Sequence, residues 1–328
     1  MSKKTFIIAE AGANHNQNFD QAIKLIEIAK SSGADAVKFQ TYSSETLYSK
    51  NTPDFAGYSN INQLIKNIEL PREWQKDLKQ YCDDIGIEFM STPFDEKAVD
   101  ELVNLGVDRL KVAGFEATDL RFLEKVASTG LPLIISAGIG CSLDFINTII
   151  NRCYEKECYD LTILHCNNAY PTPQEDINLG TIKDIIKKYD PVVKVGLSDH
   201  TMNTLTPSLA VAMGATVIEK HFTISRQLPG PDHPFALEPK ELKEMIDNIR
   251  LTEISLNSKK EQYTQSEESF SKARRSIVAK NNISKGDILT EKLITTKRPF
   301  LPGNIPASEW DNILGSKASK NYKPDDFI

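Results

Sequence analysis

Gly196-Leu197-Ser198-Asp199-His200-Thr201 closes a short apolar run, Val192 to Leu197, and Glu219-Lys220-His221-Phe222 closes a second, Ala215 to Ile218. A helix-like segment separates the runs. They therefore read as neighbouring parallel strands joined by a crossover, with His200 and His221 at the same end. Two imidazoles on adjacent strand ends, with carboxylates near, suit a divalent transition ion that keeps positions open for substrate. A pair of hydrogen-bonded core histidines would give the same spacing, so the rest of the chain has to decide between them.

The same rhythm runs back to the N-terminus. Phe6 to Ala9 reads as a buried strand followed by the polar loop Glu10-Ala11-Gly12-Ala13-Asn14-His15. In the helix Asp20 to Ser31, Ala22, Ile23, Leu25, Ile26 and Ala29 recur at helical spacing, and Ser32-Gly33 closes it before the strand Ala36 to Phe39. Further strands are expected at Ile87–Met90, Arg109–Val112, Leu133–Ala137, Leu161–His165, Val192–Leu197 and Thr216–Phe222. Helices are expected at Glu73–Asp84, Glu96–Leu105, Leu120–Ser128, Leu143–Tyr154, Thr181–Lys188 and Lys240–Leu256. Eight strand-helix alternations match a (β/α)8 TIM barrel, whereas a doubly wound open sheet would use fewer strands and a switch point. The expected domains are a catalytic barrel over 1–256, a polar linker over 257–271 and a small domain over 272–328.

Bulk properties narrow the function. The 328 residues carry a net charge of −6, and 26% of them are charged in a mixed pattern, which argues against nucleic acid and leaves room for a local pocket for a small anion. Five cysteines without paired-motif spacing fit reduced thiols in a cytoplasmic protein. Glu10 interrupts the first apolar run before it reaches the length of a signal segment, and no stretch is long enough to span a membrane.

In such a barrel the active site gathers at the carboxyl ends of the strands. The polar residues there are Glu10 with Asn14; Lys38 and Gln40; Ser91 and Thr92; Lys111 and Glu116; Ser136; His165 with Asn168 and Tyr170; Ser198 with His200; and His221. Two lysines inside barrel strands are costly to bury without an anion, which can be a carboxylate side chain or a ligand. Glu116 can pair Lys111 or move protons in a reaction. With Ser136 and Ser198 as hydroxyl donors, the lysines form a clamp for a phosphate or carboxylate.

The runs Ile8 to His15, Val37 to Thr41, Ser91 to Asp95, Leu110 to Glu116, Leu164 to Pro173, Gly196 to Thr201, Glu219 to Thr223 and Gly230 to His233 resemble the sialic acid synthase family. Arg274-Arg275-Ser276 and Lys297-Arg298-Pro299 resemble its C-terminal antifreeze-like (SAF) domain. The resemblance implies condensation of phosphoenolpyruvate with an N-acylated aldose to give a nonulosonic acid and phosphate. It implies that His200 and His221 hold a divalent ion, Mn2+ ahead of Mg2+ or Co2+, and that Glu116 is the acid/base. Lys38, Lys111, Ser136, Asn168 and Ser198 would bind phosphoenolpyruvate, Gln40, Tyr170 and Asp232 would face the sugar, and Thr92 is a further substrate-binding residue. A homodimer with exchanged SAF domains, Arg298 contacting the N-acyl group, is also implied. Gly114 departs from the family, which commonly has serine there.

The first expectation for the product is N-acetylneuraminate. Legionaminic acid is the alternative, and pseudaminic acid follows, because Leu228 to His233 looks less like the synthases that make it. Two other classes compete: a non-catalytic sugar-acid-binding barrel, and an aldolase in which Lys38 or Lys111 forms a Schiff base.

Overall fold

Eight parallel strands carry side chains alternately into the barrel and out toward the helices. The structure, a computed structural model, describes residues 4–54, 57, 59–256, 260 and 263–328. The strands are β1 (Phe6–Gly12), β2 (Ala36–Thr41), β3 (Glu88–Pro93), β4 (Leu110–Val112), β5 (Leu133–Ala137), β6 (Leu161–Cys166), β7 (Lys194–Asp199) and β8 (Val217–His221). Their order is β3-β2-β1-β8-β7-β6-β5-β4, and the edge strands β3 and β4 lie in contact, so the barrel is nearly closed.

The crossovers hold helices α1 (Phe19–Ser32), α2 (Ile61–Ile68), α3 (Gln75–Ile85), α4 (Glu96–Leu105), α5 (Leu120–Ala127), α6 (Leu143–Glu155), α7 (Gly180–Tyr189) and α8 (Thr206–Ala212). Helix α9 (Pro239–Leu256) follows β8. Several starts are set by a side chain that takes an otherwise orphan backbone donor: Asp95 Oδ1 accepts from Ala98 N at 2.7 Å, and Ser142 Oγ from Phe145 N at 3.1 Å. Among the described residues no helix is long and apolar enough to cross a membrane.

Outward residues such as Ile7, Val37, Phe89, Leu110, Ile135, Ile163 and Ile218 join the helices in one large core. Inward residues form a separate apolar plug of Ile8, Ala36, Met90, Ile134, Leu164 and Val217. Above it, two residues further along the strands, the inward positions turn polar: Glu10, Lys38, Thr92, Lys111, Ser136, Ser198 and Glu219 are all buried. The plug thus floors a polar chamber at the carboxyl ends.

Strand boundaries differ from expectation at both ends, with β3, β4 and β8 starting one residue late and β8 ending one residue early, at His221. β1, β2, β3, β6 and β7 each run past their apolar stretch, because polar inward residues keep making ladder hydrogen bonds. β7 also starts two residues late, since Val192 is in a turn closed by its N–H to Tyr189 O at 2.6 Å. Helix α2 was not expected. It carries Ile61 and Ile65 into a small cluster with Tyr42, packed by Leu47, Tyr48 and Phe94.

Residues 1–257 and 258–328 form two compact units. The linker expected over 257–271 falls partly on residues outside the described set, as do residues 1–3 at the N-terminus. Residues Gln265–Ala273 are 3-10 turns whose start is capped by Thr264 and Glu267. The second unit pairs β9 (Ser276–Ala279) with β10 (Ile294–Lys297), antiparallel, around Ile277, Ile283, Leu289, Ile294 and Tyr322; a single helical turn, α10 (Trp310–Ile313), packs against them. All five cysteines are free.

Gly196 on β7 shows how tightly the floor is packed. A Cβ there would lie 2.2 Å from Val217 O and 2.6 Å from Leu164 Cδ2. Gly196→Ala is expected to destabilise the barrel by about 1–3 kcal/mol through overpacking, read as a lower midpoint in denaturant unfolding; an unchanged midpoint would show that the floor yields.

Candidate active site

Four charged side chains meet inside the barrel. Lys38 Nζ lies 2.7 Å from Glu10 Oε2 and 3.7 Å from Glu219 Oε1, and it donates to Thr92 Oγ1 at 2.8 Å. Lys111 Nζ donates to Ser136 Oγ at 2.7 Å and lies 3.5 Å from the same Glu219 Oε1. Gln40 Nε2 donates to Glu10 Oε1 at 2.7 Å, and Ser198 Oγ to Glu219 Oε1 at 3.3 Å. All four charged groups are almost wholly buried.

Burial pushes Glu10 up to about 7 against the pull of Lys38, so near neutral pH it is partly protonated. Burial also favours a protonated Glu219, but Lys111 and Lys38 overcome this and hold it below the usual carboxylate range. Burial would lower Lys38, yet Glu10 and Glu219 leave it raised; Lys111, with only a share of Glu219, is lowered. Two ammoniums thus face one full carboxylate and one partial one. Where Glu10 is protonated the excess is positive, and it falls on Lys38 and Lys111, which share Glu219.

The histidines sit at the mouth of this chamber, ring centroids 5.5 Å apart. His200 Nδ1 is 2.6 Å from Asn167 O; a carbonyl only accepts, so this nitrogen carries the proton and Nε2 keeps its lone pair. Burial lowers His200 to about 4 and holds His221 well below the ordinary histidine value, with His200 adding to the effect on His221. Both imidazoles are neutral near pH 7. Tyr170 leans on His200 with ring centroids 4.2 Å apart and planes tilted by 42°, and Phe235 meets His221 at 5.1 Å.

Among the described residues His221 Nδ1 is buried without a hydrogen-bond partner, and Asp232 Oδ2 stands 3.9 Å from it. Buried polar atoms are rarely left so. Two neutral nitrogens beside a carboxylate fit a divalent first-row cation; among the described residues no third His, Cys, Asp or Glu joins the pair to complete a closed set.

Glu116 lies on the turn after β4. Among the described residues its Oε2 is buried without a hydrogen-bond partner, and burial raises the carboxyl to about 7 against the pull of its own backbone N–H and of Lys111. Lys111 has its ion pair with Glu219, 3.5 Å away, and not with Glu116. Asn168 Oδ1 accepts from Ile139 N at 2.8 Å, and its amide lies flat on two glycines. A Cβ on Gly114 would meet Asn168 Nδ2 at 2.8 Å, and one on Gly138 would meet Oδ1 at 2.0 Å. The side chain expected at position 114 is thus replaced by the amide of Asn168.

The structure brings Lys38, Gln40, Thr92, Lys111, Ser136, Ser198, His200 and His221 to one strand end, with Glu116, Asn168, Tyr170 and Asp232 on the loops that follow. Arg298 is exposed on the second unit. Sequence reasoning gave no role to Glu219, which anchors both lysines. Period-2 spacing from His221 was the available signal, since it puts residue 219 inside the barrel. The buried ion pair of Asp199 with Lys220 gave no such signal, because both residues face outward.

Residues 25–261 match the NeuB family, and residues 274–328 match the SAF domain. An N,N'-diacetyllegionaminic acid synthase of Legionella pneumophila is 40% identical over 98% of this chain and 92% of its own length; one from Campylobacter jejuni is 38% identical over 99% of each. The crystal structure of an N-acetylneuraminic acid synthetase from Leptospira borgpetersenii superposes with a TM-score of 0.74 at 34% identity, covering 82% of this chain and 90% of that one.

The raised carboxyls have a measurable sign. The folded protein keeps protons on Glu10 and Glu116 up to about 7 that the unfolded chain releases near 4.5, so these groups make stability fall as pH rises through that window. Carbon-13 spectra of glutamate-labelled protein are expected to show two carboxyls titrating near 7, one lost in Glu10→Gln and one in Glu116→Gln. Titration of both below 5 would contradict the burial argument.

Proposed function

The chain belongs to the NeuB family, sialic-acid-synthase-like enzymes, here with a C-terminal SAF domain, and from that premise we propose that its product is N,N'-diacetyllegionaminic acid. The family reaction is the condensation of phosphoenolpyruvate with an amino sugar to a nonulosonic-type acid. The first expectation, N-acetylneuraminate, gives way to the alternative. The two legionaminate synthases match this chain at 40% and 38% over nearly its whole length, against 32% for a human N-acetylneuraminate-9-phosphate synthase and 34–35% for pseudaminic acid synthases. The rings of Tyr170 and Phe235 against the imidazoles supply an apolar wall that suits a 6-deoxy-2,4-diacetamido hexose.

The observation that carries the mechanism is the positive excess in the buried chamber. Lys111 and Lys38 offset the charge of phosphoenolpyruvate, while Thr92, Ser136, Ser198 and the Asn168 amide orient its oxygens. His200 and His221 would hold a divalent ion, Mn2+ ahead of Mg2+ or Co2+, which would supply Lewis acidity for polarising the sugar's carbonyl. Gln40, Tyr170 and Asp232 orient the sugar. The enol methylene attacks the aldehyde carbon, and water adds at the former enol carbon. Glu116 takes one proton from that water and returns it to the alkoxide left at the aldehyde carbon; its raised pKa keeps it a strong enough base near neutrality. Collapse of the tetrahedral carbon breaks the carbon-oxygen bond, its hydroxyl proton leaves with the phosphate, and the 2-keto acid remains.

A Schiff base on Lys38 fits poorly, since Glu10 and Glu219 hold that amine protonated. The homodimer and the sugar-binding role of Arg298 belong to the same proposal.

The test is phosphate release with phosphoenolpyruvate and Mn2+, comparing N-acetylmannosamine with the 6-deoxy-2,4-diacetamido hexose. The latter is expected to give a kcat/KM higher by about tenfold or more, a discrimination of the size an apolar pocket achieves. Equal or reversed values would overturn the sugar assignment, and no phosphate with either sugar would overturn the proposed reaction for this chain.

A further inference from the structure

Lys220 lies between the two histidine-bearing strands but faces away from the chamber, into the layer between sheet and helices, with its side chain 1% exposed. Its ammonium makes a short bond to Thr201 O, donates to Asp199 Oδ2 at 2.6 Å and reaches Thr201 Oγ1 at 3.3 Å. Asp199 closes the arrangement by accepting from Thr201 N at 2.9 Å and from Thr201 Oγ1 at 3.0 Å.

These partners are the two neighbours of His200 in the chain, and Lys220 is itself the neighbour of His221. Asp199 and Lys220 are also the last paired residues of the β7–β8 ladder, so His200 lies beyond its end. What holds His200 there is the bond from Thr172 N to its carbonyl at 2.9 Å, the Asn167 contact on its ring, and this clamp on both sides of it.

Burying an ammonium and a carboxylate in an apolar layer gains little over well-packed hydrophobic residues, and often costs stability relative to them. Packing alone does not call for the pair. What the pair achieves is geometric: one charge fixes residues 199 and 201 to the strand that carries the second imidazole. We propose that Lys220, acting through Asp199 and Thr201, is a positioning residue that sets the spacing of His200 and His221, and so the affinity and coordination geometry of the cation they hold. The inference rests on the reading of these histidines as ligands.

The experiment measures Mn2+ binding by paramagnetic resonance, and the visible absorption of Co2+-loaded protein, for Lys220→Met, for the neutral double variant Asp199→Asn/Lys220→Met, and for His221→Ala. The double variant leaves no unpaired buried charge, so it serves if Lys220→Met does not fold; circular dichroism and thermal melting establish the fold of each. Folded clamp variants are expected to bind Mn2+ about 10–100-fold more weakly than the parent, as losses of outer-sphere support do elsewhere, and to show a shifted Co2+ band. A purely structural role would lower the melting temperature and leave both readouts unmoved well below it. Parental Mn2+ affinity and Co2+ band in the folded double variant, with binding lost in His221→Ala, would overturn the clamp alone. Parental affinity in His221→Ala would overturn the ligand reading and the clamp with it.

Discussion

The ion-paired lysines at the bottom of the chamber are the constraint on which the rest depends. Lys38 and Lys111 lie where a barrel would otherwise place aliphatic side chains, and an unpaired buried charge costs several kcal/mol. Glu10 and Glu219 offset that cost only in part, because Glu219 Oε1 is shared and Glu10 holds a proton through much of the neutral range. The apolar plug beneath keeps water from entering below, so the remaining positive charge acts through a medium of low polarity and is directed at the open end.

This arrangement divides the site by charge. The lysine side favours an anion. The histidine side is neutral at physiological pH, since burial strips both imidazoles of their protons, and lone pairs there are available to a cation. Glu116 stands apart, with an environment that raises its carboxyl into the range useful for proton transfer near neutrality. Two reactants of different charge can thus be held in one chamber without competing for the same groups. That separation is what a condensation between an anionic enol phosphate and a neutral sugar requires.

Much of this was legible in the sequence, and what was not has physical reasons. The eight apolar runs marked the strands, but their ends were read too early wherever the inward residues turned polar: Glu10, Thr92 and Ser198 belong to strands because the ladder continues regardless of side-chain polarity. Helix α2 escaped although Ile61, Leu64, Ile65 and Ile68 recur at helical spacing, because the face spans only two turns. His200, His221, Lys38 and Lys111 stood out as polar residues in apolar surroundings. Glu219 did not, since its role depends on two lysines distant in sequence. Gly114 departs from the family's serine, and the space it leaves is filled by Asn168, on another strand's loop.

The central claim is that the chamber is an anion socket whose positive excess is shared by Lys38 and Lys111, and calorimetric titration of phosphoenolpyruvate into the parent protein and into Lys111→Met tests it most directly. The variant keeps the stem in place and leaves Glu219 with Lys38. The account predicts that affinity falls by about a hundredfold or more, as expected when a buried charge-assisted contact is removed. Binding within about twofold of the parent, well inside that range, would show that the anion is held elsewhere and contradict the account.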